Sequence, residues 1–282
     1  MEGLGQFVHN VRLKQPGELN FSKLNTALYA AILILSWTYV QVQDPRGKPS
    51  HIEYVKVVLV GDSTLAKVGG WGPGFCAHLK VDADCLDSAA DGRSTKSFQD
   101  EGLWRRALDQ GGQFYFIQFG HNDQKNQVML HTDPETTFKA NLRRYVRDVR
   151  DLGGTPVLVT PLTRRNFEDG KLIIDPLREY AAATREVAAE DHVPLIDLYQ
   201  LSRTLIEPMT QEQADQYDAI GHLDAEAERA TATTLDRTHL NALGKHTFGN
   251  IVAQASYEAV PALKPYIQLA PTPASTVSGD HH

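Results

Sequence analysis

Ser63 closes the triplet Gly61-Asp62-Ser63, just past the apolar, β-branched run VKVVLV at 55–60. A hydroxyl between a strand and a helix sits where backbone N–H groups and the helix dipole stabilise developing negative charge. The plainer role for such a serine is an N-cap. Far along the chain, Asp236 and His239 stand three residues apart, just before a helical stretch. In a helical turn that spacing puts both side chains on one side. The carboxylate then orients the imidazole and leaves the other ring nitrogen as a base. Taken alone, the pair also fits a cap or a surface contact. Gly92 offers a backbone N–H unshielded by a side chain, and Asn122 offers an amide donor. With the Ser63 N–H they would make three donors for an oxyanion. The chain has no G-x-S-x-G elbow, phosphate-binding G-x-x-x-x-G-K-[ST] loop or H-E-x-x-H pair. No residue set has metal-ligand spacing, so no metal is expected.

These residues need elements that hold them. The run 55–60 reads as a buried strand, as do FYFIQF at 114–119 and PVLVT at 156–160. VPLIDL at 193–198 reads as a fourth strand, and residues 85–88 as a short further one. Between them fall helical stretches at 74–80, 97–108, 134–152 and 176–190, and a last one covers 241–260. In 134–152 the apolar stripe is Phe138, Leu142, Tyr145, Val149 and Leu152, and Gly153-Gly154 stops it. Strands alternating with helices imply a parallel α/β sheet covered on both faces. Ligands then sit past the C-terminal ends of the strands. That is where Gly61-Asp62-Ser63-Thr64, Gly120-His121-Asn122-Asp123 and Thr160-Pro161-Leu162 fall.

The chain has 282 residues, 41% of them hydrophobic, and a net charge of −7. Wholesale disorder and fibrous classes are excluded, and the mild acidity argues against a nucleic-acid partner. Three parts are expected: an N-terminal extension over 1–51, a catalytic domain over 52–262 and a flexible tail over 263–282. The extension carries an uncharged apolar segment at 26–40 and a polar linker at 44–50. The segment is shorter than the roughly 20 residues of a membrane span. It is either an atypical signal or anchor, or a helix packed on the domain or against a second copy. His281-His282 reads as a tag remnant rather than a metal site. Cys76 and Cys85 either pair locally or stay reduced, and buried free thiols are the plainer reading.

Four blocks occur in one order: Gly61-Asp62-Ser63-Thr64, then Gly92 within Ala90-Asp91-Gly92-Arg93-Ser94, then Phe119-Gly120-His121-Asn122-Asp123, then Asp236-Arg237-Thr238-His239-Leu240-Asn241. Together with Trp71-Gly72 they resemble the SGNH (GDSL) hydrolases, and within them the rhamnogalacturonan acetylesterase group, over about residues 55–255. The resemblance implies a flavodoxin-like three-layer α/β/α sandwich with a five-stranded parallel sheet and no cofactor. It implies Ser63 as nucleophile, His239 as base and Asp236 as its orienter. Ser63, Gly92 and Asn122 would form the oxyanion hole, and His121 and Asp123 are taken as substrate contacts. The implied activity is removal of O-acetyl groups from a plant cell-wall polysaccharide, rhamnogalacturonan first. Acetylxylan esterase, a broad short-chain carboxylesterase and an inactive carbohydrate-binding homologue are the alternatives. The implied setting is secreted, periplasmic or membrane-anchored. The acidic stretch 208–234, ahead of Asp236, is either a substrate rim or a solvated insertion.

Overall fold

The computed structural model describes residues 54–221 and 235–269, together with two short strands, Val42–Gln43 and Pro49–Ser50. Segment 26–40, residues 222–234 and the chain from 270 onward lie outside the described residues. Residues 1–52 and 53–282 are separate units. In the first, Val42–Gln43 pairs antiparallel with Pro49–Ser50, so part of the expected linker is strand.

The second unit is built on five parallel strands: β1 (Val55–Gly61), β2 (Ala83–Asp87), β3 (Phe114–Gln118), β4 (Thr155–Val159) and β5 (Leu195–Ile196). Their order is β2-β1-β3-β4-β5. Successive residues of β1 and β3 point to opposite faces, and both faces are covered. On one side Val57, Leu59, Phe114 and Phe116 pack with Phe75 of helix α1 (Gly72–Cys76) and with Phe248 and Val252 of the C-terminal helix (Ala242–Ala259). On the other, Val58, Val60, Tyr115 and Ile117 meet α2 (Thr95–Asp100), α3 (Leu103–Leu108), α4 (Lys139–Asp151) and α5 (Leu177–Glu190). The result is the expected three-layer α/β/α sandwich. The strand order reverses between β2-β1 and β1-β3, which makes the ends of β1 and β3 the switch point where ligands bind.

Several local expectations are corrected. β5 is only two residues long, because Pro194 brings no N–H and the Asp197 side chain caps helix α6 (Leu198–Ile206). The helix expected at 74–80 instead spans 72–76, with Pro73 at its first turn. The stretch 134–152 opens with a π turn capped by Asp133, and Leu152 is exposed. Cys76 and Cys85 form a disulfide, with Cα atoms 5.7 Å apart, tying α1 to the edge strand β2. The packed domain runs past 262. Leu263 and Ile267 are buried, and Lys80 and Gln268 exchange backbone bonds with Tyr266 and His78. Apolar contact there outweighs a composition that reads as tail.

α1 follows the Ser63 turn, and the C-terminal helix follows His239. They cross backbone to backbone at two glycines. A Cβ on Gly74 would lie 1.9 Å from the Lys245 carbonyl oxygen, and one on Gly249 would lie 2.3 Å from the Gly74 carbonyl carbon.

Candidate active site

β1 ends at Gly61, and the chain turns at once. Leu65 and Ala66 both donate to the Asp62 carbonyl at 3.1 Å, and no helix begins until Gly72. Ser63 therefore sits on a single tight turn, not at the helix N-terminus expected from sequence. Its position is fixed from below. Thr64 Oγ1 and the Thr64 N–H donate to Asp62 Oδ1 at 2.7 and 2.9 Å. Gln118, the last residue of β3, donates to Thr64 Oγ1 at 2.7 Å and accepts from Trp71 Nε1 at 2.6 Å. All four side chains are buried, so the network is dry and satisfied at these atoms. Gln118 was not anticipated. The available signal was one amide at the C-terminal end of an otherwise apolar strand.

Asp236 and His239 lie on strand β7 (Leu235–Leu240), which pairs antiparallel with β6 (Asp218–Ile220). Asp218 pairs with Leu240 and Ala219 with Asp236, so residues 237–239 bulge out of the ladder. The three-residue spacing is thus set by a bulge and not by a helical turn. Asp236 Oδ1 closes it, accepting from the N–H groups of Thr238 and His239 at 3.0 and 3.2 Å. Its Oδ2 meets His239 Nδ1 at 2.6 Å, and His239 Nε2 meets Ser63 Oγ at 2.7 Å. The Leu240 N–H donates to the Gly69 carbonyl at 2.9 Å, binding the bulge strand to the loop that carries Ser63. Burial works against charge on Asp236. The hydrogen bond and charge of His239, with the two backbone donors, outweigh it and hold the carboxyl at about 2. Asp236 is therefore an anion at any working pH, and His239 Nδ1 is held as the donor.

Two loops lie beside the end of β1, from which Ser63 follows. The Ala90 N–H donates to the Gly61 carbonyl at 2.9 Å, which lays the segment carrying Gly92 beside the end of β1. Gly92 has φ +75°, and a side chain there would meet nothing within 4 Å. Gly120 has φ +136° and lets the loop after β3 turn sharply. Asn122 Nδ2 donates to the Arg93 carbonyl at 3.0 Å, joining that loop to the Gly92 loop with one of its two amide hydrogens. Among the described residues, no group accepts from the backbone N–H of Ser63 or Gly92. The loops that carry Gly92 and Asn122 are thus tied to each other and to the end of β1.

Asp123 is placed differently from expectation, because its carboxylate is fully buried, whereas His121 is buried to the same degree as Ser63. Asp123 Oδ1 takes the Thr95 hydroxyl at 2.5 Å, the Thr132 hydroxyl at 2.7 Å and the Thr95 N–H at 3.0 Å. It anchors loops and faces no solvent. His121 Nδ1 lies 3.4 Å from Thr64 Oγ1 and 3.7 Å from Asp62 Oδ2. Burial pushes its imidazole down, with Asp62 pulling the other way. Among the described residues, no three His, Cys, Asp or Glu side chains are grouped to hold a metal ion.

Burial lifts Asp123 to about 7, against the hydrogen bonds from Thr95 and Thr132. An unfolded aspartate titrates at about 3.9. The folded state therefore holds this proton more tightly. That contribution is complete below the unfolded value and is lost as pH rises through about 7. Asp123→Asn keeps an oxygen for the three bonds and removes the titration. Its melting temperature should fall less than wild type between about pH 4 and 7. Parallel melting curves for the two proteins would remove Asp123 as the source.

Comparison with known proteins adds to this geometry. Residues 59–246 match the model of the GDSL-like Lipase/Acylhydrolase family. The chain is similar to the probable rhamnogalacturonan acetylesterase YesY of Bacillus subtilis (strain 168), 32% identical over 211 residues, covering 72% of this chain and 92% of YesY. It is also similar to rhamnogalacturonan acetylesterase RhgT of the same organism, 31% identical over 222 residues, covering 76% and 94%. Among solved structures, Bacillus subtilis YxiM superposes with a TM-score of 0.58 at 22% identity, covering 78% of this chain and 58% of that one.

Proposed function

Because the chain belongs to the GDSL-like lipase/acylhydrolase family, and so is a carboxylic ester hydrolase, we propose that it removes O-acetyl groups from acetylated rhamnogalacturonan through an acetyl-enzyme on Ser63. The observation that carries this reading is the continuous chain from Asp236 Oδ2 through His239 to Ser63 Oγ, with links of 2.6 and 2.7 Å, at the switch point of the sheet. Ser63 Oγ attacks the acetyl carbonyl carbon as His239 Nε2 takes its proton. The oxyanion is held by the N–H groups of Ser63 and Gly92 and by the second Asn122 amide hydrogen. Collapse expels the sugar oxygen, which leaves as a hydroxyl with the proton from His239. Water, deprotonated by His239, then releases acetate and restores Ser63. Asp236 stays ionised throughout and stabilises the imidazolium.

The choice of polymer is supported by the activities for which YesY and RhgT are named. Acetate release from acetylated rhamnogalacturonan, homogalacturonan and xylan tests it. Fastest release from rhamnogalacturonan is expected. Equal or faster release from xylan would make the protein an acetylxylan esterase. Turnover of p-nitrophenyl acetate alone would make it a short-chain carboxylesterase, and no turnover at all a binding homologue. The disulfide between Cys76 and Cys85 supports an exported setting, where disulfides persist.

Asn122→Ala separates the two uses of that side chain. The ester carbonyl carries a partial charge and the tetrahedral intermediate a full one, so an oxyanion donor acts mostly in the transition state. Its loss should lower kcat ~10²–10³-fold, or about 2.7–4 kcal/mol, with little change in KM. The lost bond to the Arg93 carbonyl should also lower the melting temperature slightly. Early melting with near-normal kcat would leave Asn122 as a loop tie only.

A further inference from the structure

Arg165 is fully buried, and no step proposed above uses it. A guanidinium taken out of water is tolerated only when its N–H groups find partners. Its Nε donates to the Asp218 carboxylate, Nη1 to the Thr163 carbonyl at 3.2 Å, and Nη2 to the His239 carbonyl at 2.9 Å. Its backbone N–H donates to the Arg237 carbonyl at 3.1 Å. The face of Phe248, on the helix that follows His239, lies 5.9 Å from the guanidinium carbon. Main chain and side chain of this one residue therefore grip both ends of the bulge at 237–239. Asp218 stands on the facing strand, where the register jumps.

We propose that Arg165 is a positioning residue for the base: its guanidinium clamps the bulge that carries His239 and so fixes the imidazole against Ser63. The bulge has no residues opposite it in the ladder, so its carbonyls take their partners from elsewhere. A drift of the imidazole by about 1 Å costs on the order of 10²-fold in rate. A planar fork with several donors in fixed directions can hold Asp218, Thr163 and His239 at once, and an ammonium cannot. The proposal rests on His239 being the base.

The rival role is purely structural, a buried ion pair joining β6 to the loop after β4. Buried pairs of that kind are often replaced by apolar residues without loss of stability. Arg165→Met/Asp218→Leu removes the charges together, with the clamp. The expected result is a melting temperature near wild type, kcat on p-nitrophenyl acetate lower by about 10²-fold and KM within about twofold. Wild-type kcat in the folded double variant overturns the proposal. If the double variant does not fold, Arg165→Lys decides. It keeps a charge against Asp218 and loses the fork, so kcat per folded molecule should again fall. Unchanged kcat with earlier melting overturns the clamp. His239→Ala is measured alongside. Retained activity there defeats the assignment of the base, whereas a dead His239→Ala beside a fully active double variant defeats the clamp alone.

Discussion

Ser63→Ala should reduce acetate release and p-nitrophenyl acetate turnover by ~10⁴-fold or more while leaving the fold in place. The hydroxyl makes one described side-chain bond, to His239 Nε2 at 2.7 Å. The turn beneath it is held by Asp62, Thr64, Gln118 and Trp71, none of which uses the Ser63 side chain. Removing one oxygen therefore takes away the nucleophile and leaves its support standing. Residual activity should reflect water attacking a carbonyl polarised by the oxyanion donors. The measurement is kcat on both substrates beside the near-UV circular dichroism of wild type and variant. A variant that keeps a tenth of its activity removes Ser63 from the reaction, and loss of the dichroism signal would show that the hydroxyl is structural.

Asp236→Asn should lower kcat by about 10⁴-fold, for a reason of tautomer rather than of packing. The ionised carboxylate only accepts, so His239 Nδ1 must carry the proton and Nε2 faces Ser63 with a lone pair. An asparagine keeps Oδ1 for the Thr238 and His239 N–H groups, so the bulge stays closed. Its amide nitrogen then faces Nδ1 as a donor. The imidazole proton moves to Nε2, and the base is lost. Because Asp236 sits at about 2, its own stabilising contribution is fully present above about pH 3.9 and is lost as pH falls from there through about 2. The variant should therefore melt below wild type at neutral pH and converge with it in strong acid. A loss of rate below tenfold would show that the carboxylate does not set the tautomer.

The alternation of VKVVLV, FYFIQF and PVLVT with amphipathic stretches was enough to place a parallel sheet and its C-terminal edge, because buried strands must be apolar on both faces. It was also enough to place Ser63 and Asn122 on loops at that edge. The geometry of Asp236 and His239 was not legible. A separation of three residues suits a helical turn and a bulge alike, and the choice depends on β6 pairing about twenty residues upstream. The Cys76–Cys85 bond was equally hidden, since nine residues of separation do not fix a Cα distance. Arg165 escaped because its partners, Asp218 and His239, lie 53 and 74 residues away. Asp123 misled for a related reason: a carboxylate beside Asn122 looks available until Thr95 and Thr132 close over it.

The crossing of Gly74 with Gly249 bears on how such a protein can diverge. Most packing pairs drift by compensation, one residue shrinking as its partner grows. Here each glycine would strike main chain and not a side chain, at 1.9 and 2.3 Å. No substitution at one position makes room at the other, because glycine is already the smallest residue. Either change must push apart the helices that follow Ser63 and His239. A lineage that keeps hydrolysis is therefore barred from both positions. The two reacting side chains thus inherit a separation fixed by two backbones in contact.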